Sequence, residues 1–309
     1  MKLSILIATR NRASAIGRCL DAIAIALARA PDVAAEIVVV DNGSTDDTSA
    51  RVKAWAEPQT FPLRVIYEPR AGLSVARNTA VRAARGDLLV FTDDDCRMSP
   101  DYVVELLRYD AQDTELVMRS GSVILGDPTD LPLTIKSVDQ VKRWKRPMPV
   151  AEEGRLLGGS LIGCNMAMRR DVLDLLGPFD ERLGAGTSCP AGEDTDYFYR
   201  GYLAGIRLEI VPDMVVAHDH GRKTIEQRTK LMRNYALGNG ALATKYLLRH
   251  PTFARHLIWE FKACAPLLFH RLKEGENRPW LSPRDRLFFM ICGVFRFAAL
   301  RLRARPKSL

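Results

Sequence analysis

The chain has 309 residues, enough for one large domain or two modest ones. Its 47% hydrophobic and 27% charged residues are the proportions of an ordinary globular protein. The net charge of +8 is uneven, because residues 250–309 hold 12 Lys/Arg and 4 Asp/Glu while the preceding residues are neutral in sum. A neutral body with a basic tail argues against nucleic acid as a partner and indicates a surface that the tail contacts.

Two features of the sequence bear on the cellular compartment. The apolar run from Leu3 to Ile7 is too short for the core of a secretory signal and leads directly into Arg10 and Arg12. The six cysteines are scattered and form no CxxC pair, which favours free thiols over a disulfide framework or a zinc site. We therefore expect a cytoplasmic protein, either free or peripheral on the inner face of the membrane.

Strands and helices alternate over the first hundred residues. Apolar runs predict four strands, at Leu3–Ala8, Ala35–Asp41, Leu63–Tyr67 and Leu88–Phe91. Helices are predicted to begin between these strands, near Ser14, Asp46 and Gly72. Alternating strands and helices with short connections predict an α/β fold with a doubly wound, mostly parallel sheet.

Polar residues follow the strands at their carboxyl ends, where open α/β sheets bind ligands. One cluster is Thr9–Arg12, a second is the pair Asp41-Asn42, and a third is the run of carboxylates Asp93–Asp95. Side chains alternate along an extended chain, so Asp93 and Asp95 are expected to point one way and Asp94 the other. Converging carboxylates suit a hard divalent cation, Mg²⁺ or Mn²⁺. Taken alone, the three aspartates fit a solvated acidic turn equally well.

The pattern is less regular after this point. A helix is predicted from Pro100 to about Leu107, and the other predicted elements are strands at Leu116–Leu125 and Cys164–Met168 and a short helix at Arg170–Leu176. Residues 127–158 are rich in Pro, Gly and charge, which predicts a mobile excursion beside the site.

A glycine-rich loop then leads to the run Gly192-Glu-Asp-Thr-Asp196. A helix is predicted from Tyr197 to Leu203, followed by strands at Ile206–Val211 and Met214–Ala217 that Pro212 separates. His218 follows the last of these strands. Acids in the first turn of a helix complement its dipole, so Glu193 and Asp194 also have a purely structural interpretation.

Only helices are predicted after Gln227, including Trp259–Leu272 and a last helix from Pro283. The longest uncharged run of this last helix, Leu287–Phe295, is far shorter than the roughly 20 residues that a spanning helix needs. An aromatic face with several basic residues suits an interfacial helix on an anionic leaflet, within 255–309. A helix packed on the domain or on a partner chain fits equally well. The predicted division is residues 1–225 and a basic helical extension, 226–309.

Taken in order, five segments resemble the family 2 glycosyltransferases of GT-A fold, over roughly residues 3–225. The segments are Ile7-Ala-Thr-Arg-Asn-Arg12, Val40-Asp-Asn-Gly-Ser-Thr-Asp46, Gly72-Leu-Ser-Val-Ala-Arg-Asn78, Phe91-Thr-Asp-Asp-Asp95 and Gly192-Glu-Asp-Thr-Asp196. The family commonly has Pro before the first Thr and an aromatic residue after it, where this chain has Ala8 and Arg10.

The resemblance implies a donor site for a nucleoside-diphosphate sugar, most simply of UDP type. Thr9 and Asp41 would hold the base, Arg77 would lie along the diphosphate, and Asp93 would face the ribose. The remaining residues expected around the donor are Asn11, Arg12, Asn42, Asp94 and Asn165. The resemblance also implies that Asp95 and His218 ligate Mg²⁺ or Mn²⁺, with His220 as the rival ligand.

The resemblance further implies an inverting transfer to a hydroxyl group on a glycan or lipid-linked acceptor, in bacterial glycan, polysaccharide or glycolipid synthesis. Asp194 would be the general base and Glu193 would support it or orient the acceptor. A homo-oligomer is compatible with the sequence.

Two other functions fit parts of the sequence less well. A sugar nucleotidyltransferase needs a glycine-rich turn after the first strand, and Thr9–Arg12 has no glycine. A non-catalytic nucleotide-sugar binder or membrane scaffold would lack the base, yet Glu193 and Asp194 are present.

Overall fold

The computed structural model describes residues 2–148, 161–250, 253 and 281–303. Its strands are β1 Lys2–Thr9, β2 Ala34–Asp41, β3 Leu63–Tyr67, β4 Leu88–Asp93, β5 Cys96–Met98, β6 Val117–Leu125, β7 Lys142–Trp144, β8 Asn165–Arg169 and β9 Arg207–His218. Its helices are α1 Ile16–Ala28, α2 Thr48–Ala56, α3 Leu73–Ala83, α4 Tyr102–Asp110, α5 Arg170–Leu176, α6 Glu193–Leu203, α7 Ile225–Tyr246 and α8 Pro283–Arg303.

One sheet forms the centre of the fold, in the order β3-β2-β1-β4-β8-β6-β9-β5, with β7 paired to β9. Strands β3, β2, β1 and β4 are mutually parallel, and β6 and β9 run in the same direction. Strands β8, β5 and β7 run the opposite way. The mostly parallel α/β sheet predicted from the sequence is therefore confirmed.

Helices cover both faces of the sheet where strands such as β1, β2 and β4 are apolar on both sides. In β1, Leu3 and Ile5 face the core that α1 covers, whereas Leu6 faces the core formed with α3. Alternate residues of one strand thus belong to two different cores, as the pleat of a strand requires. The polar ends of the strands are left at the edge between these layers.

Strand β9 corrects the prediction of two separate strands. It is one strand whose pairing with β6 shifts register between Gly121 and Ser122, so that Pro212 lies in a bulge. A Cβ at Gly121 would lie 1.9 Å from the carbonyl oxygen of Met214, so only glycine allows the bulge to approach β6. The bulge lets β9 continue to His218.

Other boundaries also differ from the predictions. Helix α4 ends at Asp110 rather than near Leu107, and α6 begins at Glu193 rather than Tyr197. Within 127–158 the short strand β7 pairs with β9, which the sequence did not indicate. The predicted helix at Trp259–Leu272 lies outside the described residues.

Helices α7 and α8 pack against each other at two glycines. A Cβ on Gly240 would lie 2.0 Å from the carbonyl oxygen of Met290, and one on Gly293 would lie 2.1 Å from that of Leu237. The two backbones are therefore in direct contact. None of the helices that the structure describes has the length and apolar content needed to cross a membrane.

The contact between α7 and α8 yields a stability prediction. Gly240→Ala should lower the free energy of unfolding by about 1–3 kcal/mol, because the added methyl group must separate two packed backbones. Gly17→Ala is the matched control, since open space surrounds that helical glycine and alanine favours a helix. Denaturant unfolding measures both, and equal stabilities for the Gly240→Ala variant and the wild type would contradict the packing described.

Candidate active site

The parallel register brings three polar strand ends together. Thr9 is the register partner of Asp41 in β2, and Ala8 is the partner of Asp93 in β4. Thr9 and Asp41 are buried. The clusters that the sequence placed at strand ends therefore meet at one edge of the sheet, as predicted.

A pocket of about 150 Å³, open to solvent, lies at this edge. It is lined by Ala8, Thr9, Arg10, Asn42, Leu73, Ala185 and Gly186. The walls thus come from the first strand, the turn after the second, the start of α3 and the glycine-rich loop before α6. A mixture of apolar walls and a few polar groups is typical of a site for a small organic ligand.

Two of the predicted donor residues organise the turns around this pocket. Asn42 donates its side-chain N–H groups to the carbonyl oxygens of Glu68 and Arg70, at 3.0 and 2.7 Å, and accepts from the backbone N–H of Gly72 at 2.9 Å. Asn11 has a positive φ of 54° and accepts the backbone N–H of Thr45 at 2.8 Å. Both side chains therefore fix loops that border the pocket.

Asp41 is held in a similar way. Its Oδ1 accepts the backbone N–H of Ser44 at 2.8 Å, and the hydroxyl of Ser49 donates to its Oδ2. The carboxylate is thereby fixed at the end of β2, next to Thr9 of β1. A carboxylate oxygen has two lone pairs, so Asp41 retains acceptor capacity for a ligand.

The aspartates after β4 do not alternate as predicted. The guanidinium of Arg12 spans Asp94 and Asp95, with Nε 3.1 Å from Asp94 Oδ1 and a terminal nitrogen 2.9 Å from Asp95 Oδ2. Asp93 instead pairs with Arg77 at 3.3 Å. The reason is that β4 ends at Asp93, and the turn that follows places Asp94 and Asp95 on the same side.

Burial and neighbouring charges set the ionisation of this cluster. Burial raises the pKa of Asp94 to about 7, although the positive charge of Arg12 opposes the shift. Burial also acts to raise the pKa of Asp95, but its hydrogen bond with His218 and the charges of His218 and Arg12 hold that pKa below its ordinary value. Asp95 therefore loses its proton at a lower pH than Asp94.

Asp95 and His218 form a candidate metal centre. The antiparallel pairing of β5 with β9 places Cys96 opposite His218, and His218 Nε2 lies 3.3 Å from Asp95 Oδ1. Burial alone would lower the pKa of His218, but the hydrogen bond with Asp95 and nearby negative charge raise it to about 9. A carboxylate and an imidazole suit Mn²⁺ or Mg²⁺.

His220, the rival ligand, has both ring nitrogens engaged by other groups. Its Nε2 lies 2.9 Å from the carbonyl oxygen of Leu131, and its Nδ1 accepts the backbone N–H of Arg222 at 3.0 Å. Thr134 orients His218 instead, with its hydroxyl 3.1 Å from His218 Nδ1. The sequence did not identify Thr134, since 84 residues separate it from His218 and no motif links them.

The thiol of Cys96 also lies near Asp95 and His218, with ligand atoms of the three residues within 4.8 Å of one another. Burial and the surrounding negative charges raise the pKa of Cys96 well above its ordinary value. Thiolates suit soft metals, whereas hard cations such as Mg²⁺ and Mn²⁺ prefer carboxylate oxygens. The remaining candidate metal ligands are therefore the carboxylate oxygen of Asp95 and the imidazole nitrogen of His218, as predicted for a hard cation.

On the other side of the cleft, α6 begins with the two predicted catalytic acids. Asp194 Oδ2 accepts the backbone N–H of Gly163 at 3.0 Å, and its Oδ1 accepts that of Thr195 at 2.7 Å. Burial, followed by the charge of Asp194, raises the pKa of Glu193 to about 7 despite the opposing charge of Arg77. The two neighbouring acids therefore have different environments.

Arg77 joins the two sides of the cleft. Its guanidinium is 5% exposed and lies 3.2 Å from Glu193 Oε1 and 3.3 Å from Asp93 Oδ1. It also lies 3.4 Å from the carbonyl oxygen of Gly163. The sequence predicted a contact with a diphosphate for this residue, and its link to Glu193 is a finding of the structure.

The expectation that Asn165 lies around the donor requires a correction. Asn165 is completely buried, accepts the hydroxyl of Tyr102 at 2.8 Å, and donates to the carbonyl oxygens of Ser122 and Met214 at 3.1 and 2.9 Å. Its amide is thus used inside the sheet, where it holds the bulge of β9 against β6. It does not line the donor site. Gly163, two residues earlier, is the part of this loop that donates its backbone N–H to Asp194.

Comparison with known proteins gives a consistent result. The family described as Glycosyl transferase family 2 matches residues 4–177. The succinoglycan biosynthesis protein ExoM of Rhizobium meliloti (strain 1021) is 28% identical over 184 residues, which are 57% of this chain and 54% of that protein. ExoU of the same organism is 36% identical over 215 residues, 67% of this chain and 58% of that protein. The chain thus spans little more than half the length of these relatives.

Two solved structures share the fold. Residues 1–349 of S. aureus TarS superimpose with a TM-score of 0.59 at 20% identity, over 97% of this chain and 83% of that one. The mannosyltransferase PcManGT from Pyrobaculum calidifontis, solved with GDP-Man and Mn²⁺, superimposes with a TM-score of 0.57 at 21% identity, over 98% of this chain and 88% of that one. The α/β sheet described above is therefore that of the GT-A glycosyltransferases.

The environment of Glu193 yields a prediction about pH and stability. The pKa of the Glu193 carboxyl rises from 4.5 to about 7 on folding, so this group keeps its proton up to a higher pH in the folded state than in the unfolded state. The stability of the wild type should therefore fall as the pH rises through this window. Relative to the wild type, Glu193→Gln should gain about 1–3 kcal/mol between pH 4.5 and pH 8.

Thermal unfolding of both proteins across this pH range measures the effect. Asp171→Asn, at an exposed acid in the first turn of α5, is the control and should follow the wild type. A Glu193→Gln variant with an unchanged pH profile would show that this carboxyl ionises normally in the folded protein.

Proposed function

Because the chain belongs to glycosyl transferase family 2, we propose that it transfers a sugar, with inversion, from a nucleoside-diphosphate sugar to a hydroxyl group. One observation carries the proposal most directly. The buried guanidinium of Arg77 bridges the strand end bearing Asp93 and the helix start bearing Glu193 and Asp194. A donor-side carboxylate and a candidate base are thereby fixed on the two sides of one cleft.

The nucleobase of the donor would occupy the pocket between Thr9 and the loop at Ala185. Asp41 would accept a hydrogen bond from an N–H group of the nucleobase. The guanidinium of Arg10 can stack on the face of the nucleobase, in place of the aromatic ring usual in the family. Solved neighbours contain UDP, UDP-GlcNAc or GDP-Man. These ligands support a nucleotide-sugar donor here, and we propose one of UDP type.

Asp95 and His218 would hold a divalent cation, Mg²⁺ or Mn²⁺. When bound, such a cation supplies the positive charge that stabilises the departing nucleoside diphosphate. PcManGT, solved with Mn²⁺, supports this proposal. Thr134 would keep the imidazole of His218 oriented, as partners behind a metal ligand usually do.

Asp194 is proposed as the general base. The acceptor oxygen attacks the anomeric carbon while the bond from that carbon to the diphosphate breaks, and the hydroxyl proton passes to Asp194. Attack from the face opposite the leaving group inverts the anomeric configuration. The N–H groups of Gly163 and Thr195 hold the carboxylate in one orientation for this step. Glu193, paired with Arg77, supports it.

The acceptor is proposed to be a hydroxyl group of a glycan or of a lipid-linked saccharide, in bacterial glycan, polysaccharide or glycolipid synthesis. The names of the relatives ExoM and ExoU, both succinoglycan biosynthesis proteins, support an assignment to polysaccharide synthesis.

Catalysis by Asp194 is tested by measuring nucleoside diphosphate release from a panel of nucleotide sugars. Asp194→Asn should lower the rate by about 10²–10⁴-fold, because the variant cannot accept the proton. The donor should still raise the melting temperature of the variant, since the carboxylate acts in the chemical step. Asp171→Asn should keep wild-type activity. Wild-type activity in Asp194→Asn would exclude Asp194 as the base, and no release by the wild type with any donor would overturn the transferase proposal.

The metal centre is tested by titrating Mn²⁺ into the protein calorimetrically. Asp95→Asn and His218→Gln should each weaken binding by about tenfold or more, because each removes one ligand. His220→Gln is the matched control and should bind Mn²⁺ as the wild type does, because its ring contacts Leu131 instead. Weaker Mn²⁺ binding in His220→Gln, with unchanged binding in His218→Gln, would contradict the assignment of His218 as the metal ligand.

A further inference from the structure

Helix α8 is apolar on two opposite faces. Its inner face carries the buried side chains of Met290 and Phe297, and Gly293 lies against α7. Its outer face carries large apolar side chains that remain exposed: Phe288 at 60%, Ile291 at 46%, Phe295 at 70% and Leu302 at 68%. At 3.6 residues per turn these four residues recur on one side of the helix.

Such a face indicates an interaction surface. Single exposed apolar residues are common on proteins, but a row of four on one helix face is not. Packing against α7 requires only the inner face, so the outer row has no role in that contact. The outer face needs an apolar environment that the described residues do not provide.

The charges of this helix identify the partner. From residue 281 to residue 303 the chain has five arginines and one acid, Asp285, and the backbone N–H of Asp285 bonds to the hydroxyl of Ser282. The arginines are Arg284, Arg286, Arg296, Arg301 and Arg303. Two copies of the chain joined through this face would bring like charges together, which is unfavourable. An anionic lipid surface offers both the complementary charge and an apolar layer.

Helix α8 is also attached to the wall of the donor pocket. The guanidinium of Arg296 donates to the carbonyl oxygen of Ser188 at 3.1 Å, and that of Arg182 lies 4.6 Å above the ring of Phe297. The same loop contributes Ala185 and Gly186 to the pocket. A surface that binds α8 would therefore lie close to the pocket.

We propose that the outer face of α8 docks on an anionic membrane, with the helix in the plane of the interface and Phe288 and Phe295 inserted among the lipids. The exposed side chains of Arg284 and Arg301 bind the anionic headgroups. Membrane binding requires no nucleotide-sugar donor and no transfer reaction, so it can be tested independently of the proposed enzymatic activity.

Co-sedimentation of the full chain with vesicles tests the proposal in the absence of nucleotide. The wild type should bind vesicles of phosphatidylcholine with phosphatidylglycerol at least about tenfold more tightly than vesicles of phosphatidylcholine alone. The double variant Phe288→Ser/Phe295→Ser should lose about 30-fold or more in affinity. The double variant Arg284→Gln/Arg301→Gln should lose about fivefold per arginine, and added salt should weaken wild-type binding.

A matched control is Tyr67→Ser/Leu175→Ser, which removes two apolar side chains of similar exposure from β3 and α5. This control should bind vesicles as the wild type does. All variants should melt within about 2 °C of the wild type, because the replaced side chains are exposed. The arginine variants test the same surface should the phenylalanine variant fold poorly.

Failure of the wild type to bind anionic vesicles would overturn the proposal, as would an equal loss of binding in the control. Light scattering covers the remaining alternative. A wild-type dimer that Phe288→Ser/Phe295→Ser converts to a monomer, with no vesicle binding, would show that this face joins two copies of the chain.

Discussion

The candidate site depends on the buried guanidinium of Arg77. This side chain comes from α3 and contacts the end of β4 at Asp93 and the start of α6 at Glu193. Burial of a charge costs several kcal/mol unless a partner compensates, so each of these three groups needs the others in place. The two ionic contacts of Arg77 thus fix the relative positions of the end of β4 and the start of α6, which local hydrogen bonds in either element could not do.

Much of this arrangement was predictable, because it follows from the pattern of the parallel strands. Apolar runs joined through short helical crossovers specify a parallel sheet, and parallel strands end at a common edge. That is why Thr9, Asp41 and Asp93 could be placed together although they are far apart in the chain. The register later confirmed this, with Thr9 opposite Asp41 and Ala8 opposite Asp93.

The predictions that were wrong concern turns, bulges and tertiary contacts, which the pattern of strands and helices does not encode. Strand alternation holds only while the chain is extended, and β4 ends at Asp93, so Asp94 and Asp95 face the same arginine. Asn165 was expected around the donor from the resemblance to the family, yet its amide is used to hold a bulge that the sequence did not reveal. The contact of Thr134 with His218 depends on tertiary structure alone, and no spacing in the sequence encodes it.

Arg77 and Arg12 differ in solvent exposure, and this difference distinguishes their roles in the proposed reaction. Arg77 is 5% exposed and held between two carboxylates, so it is a fixed part of the framework. The side chain of Arg12 is 38% exposed and borders solvent while it pairs with Asp94 and Asp95. A cation at Asp95 would compete with Arg12 for the same carboxylate, and a long, partly exposed side chain can move at little cost. Arg12 released in this way stays at the mouth of the cleft, where the diphosphate of a donor requires positive charge.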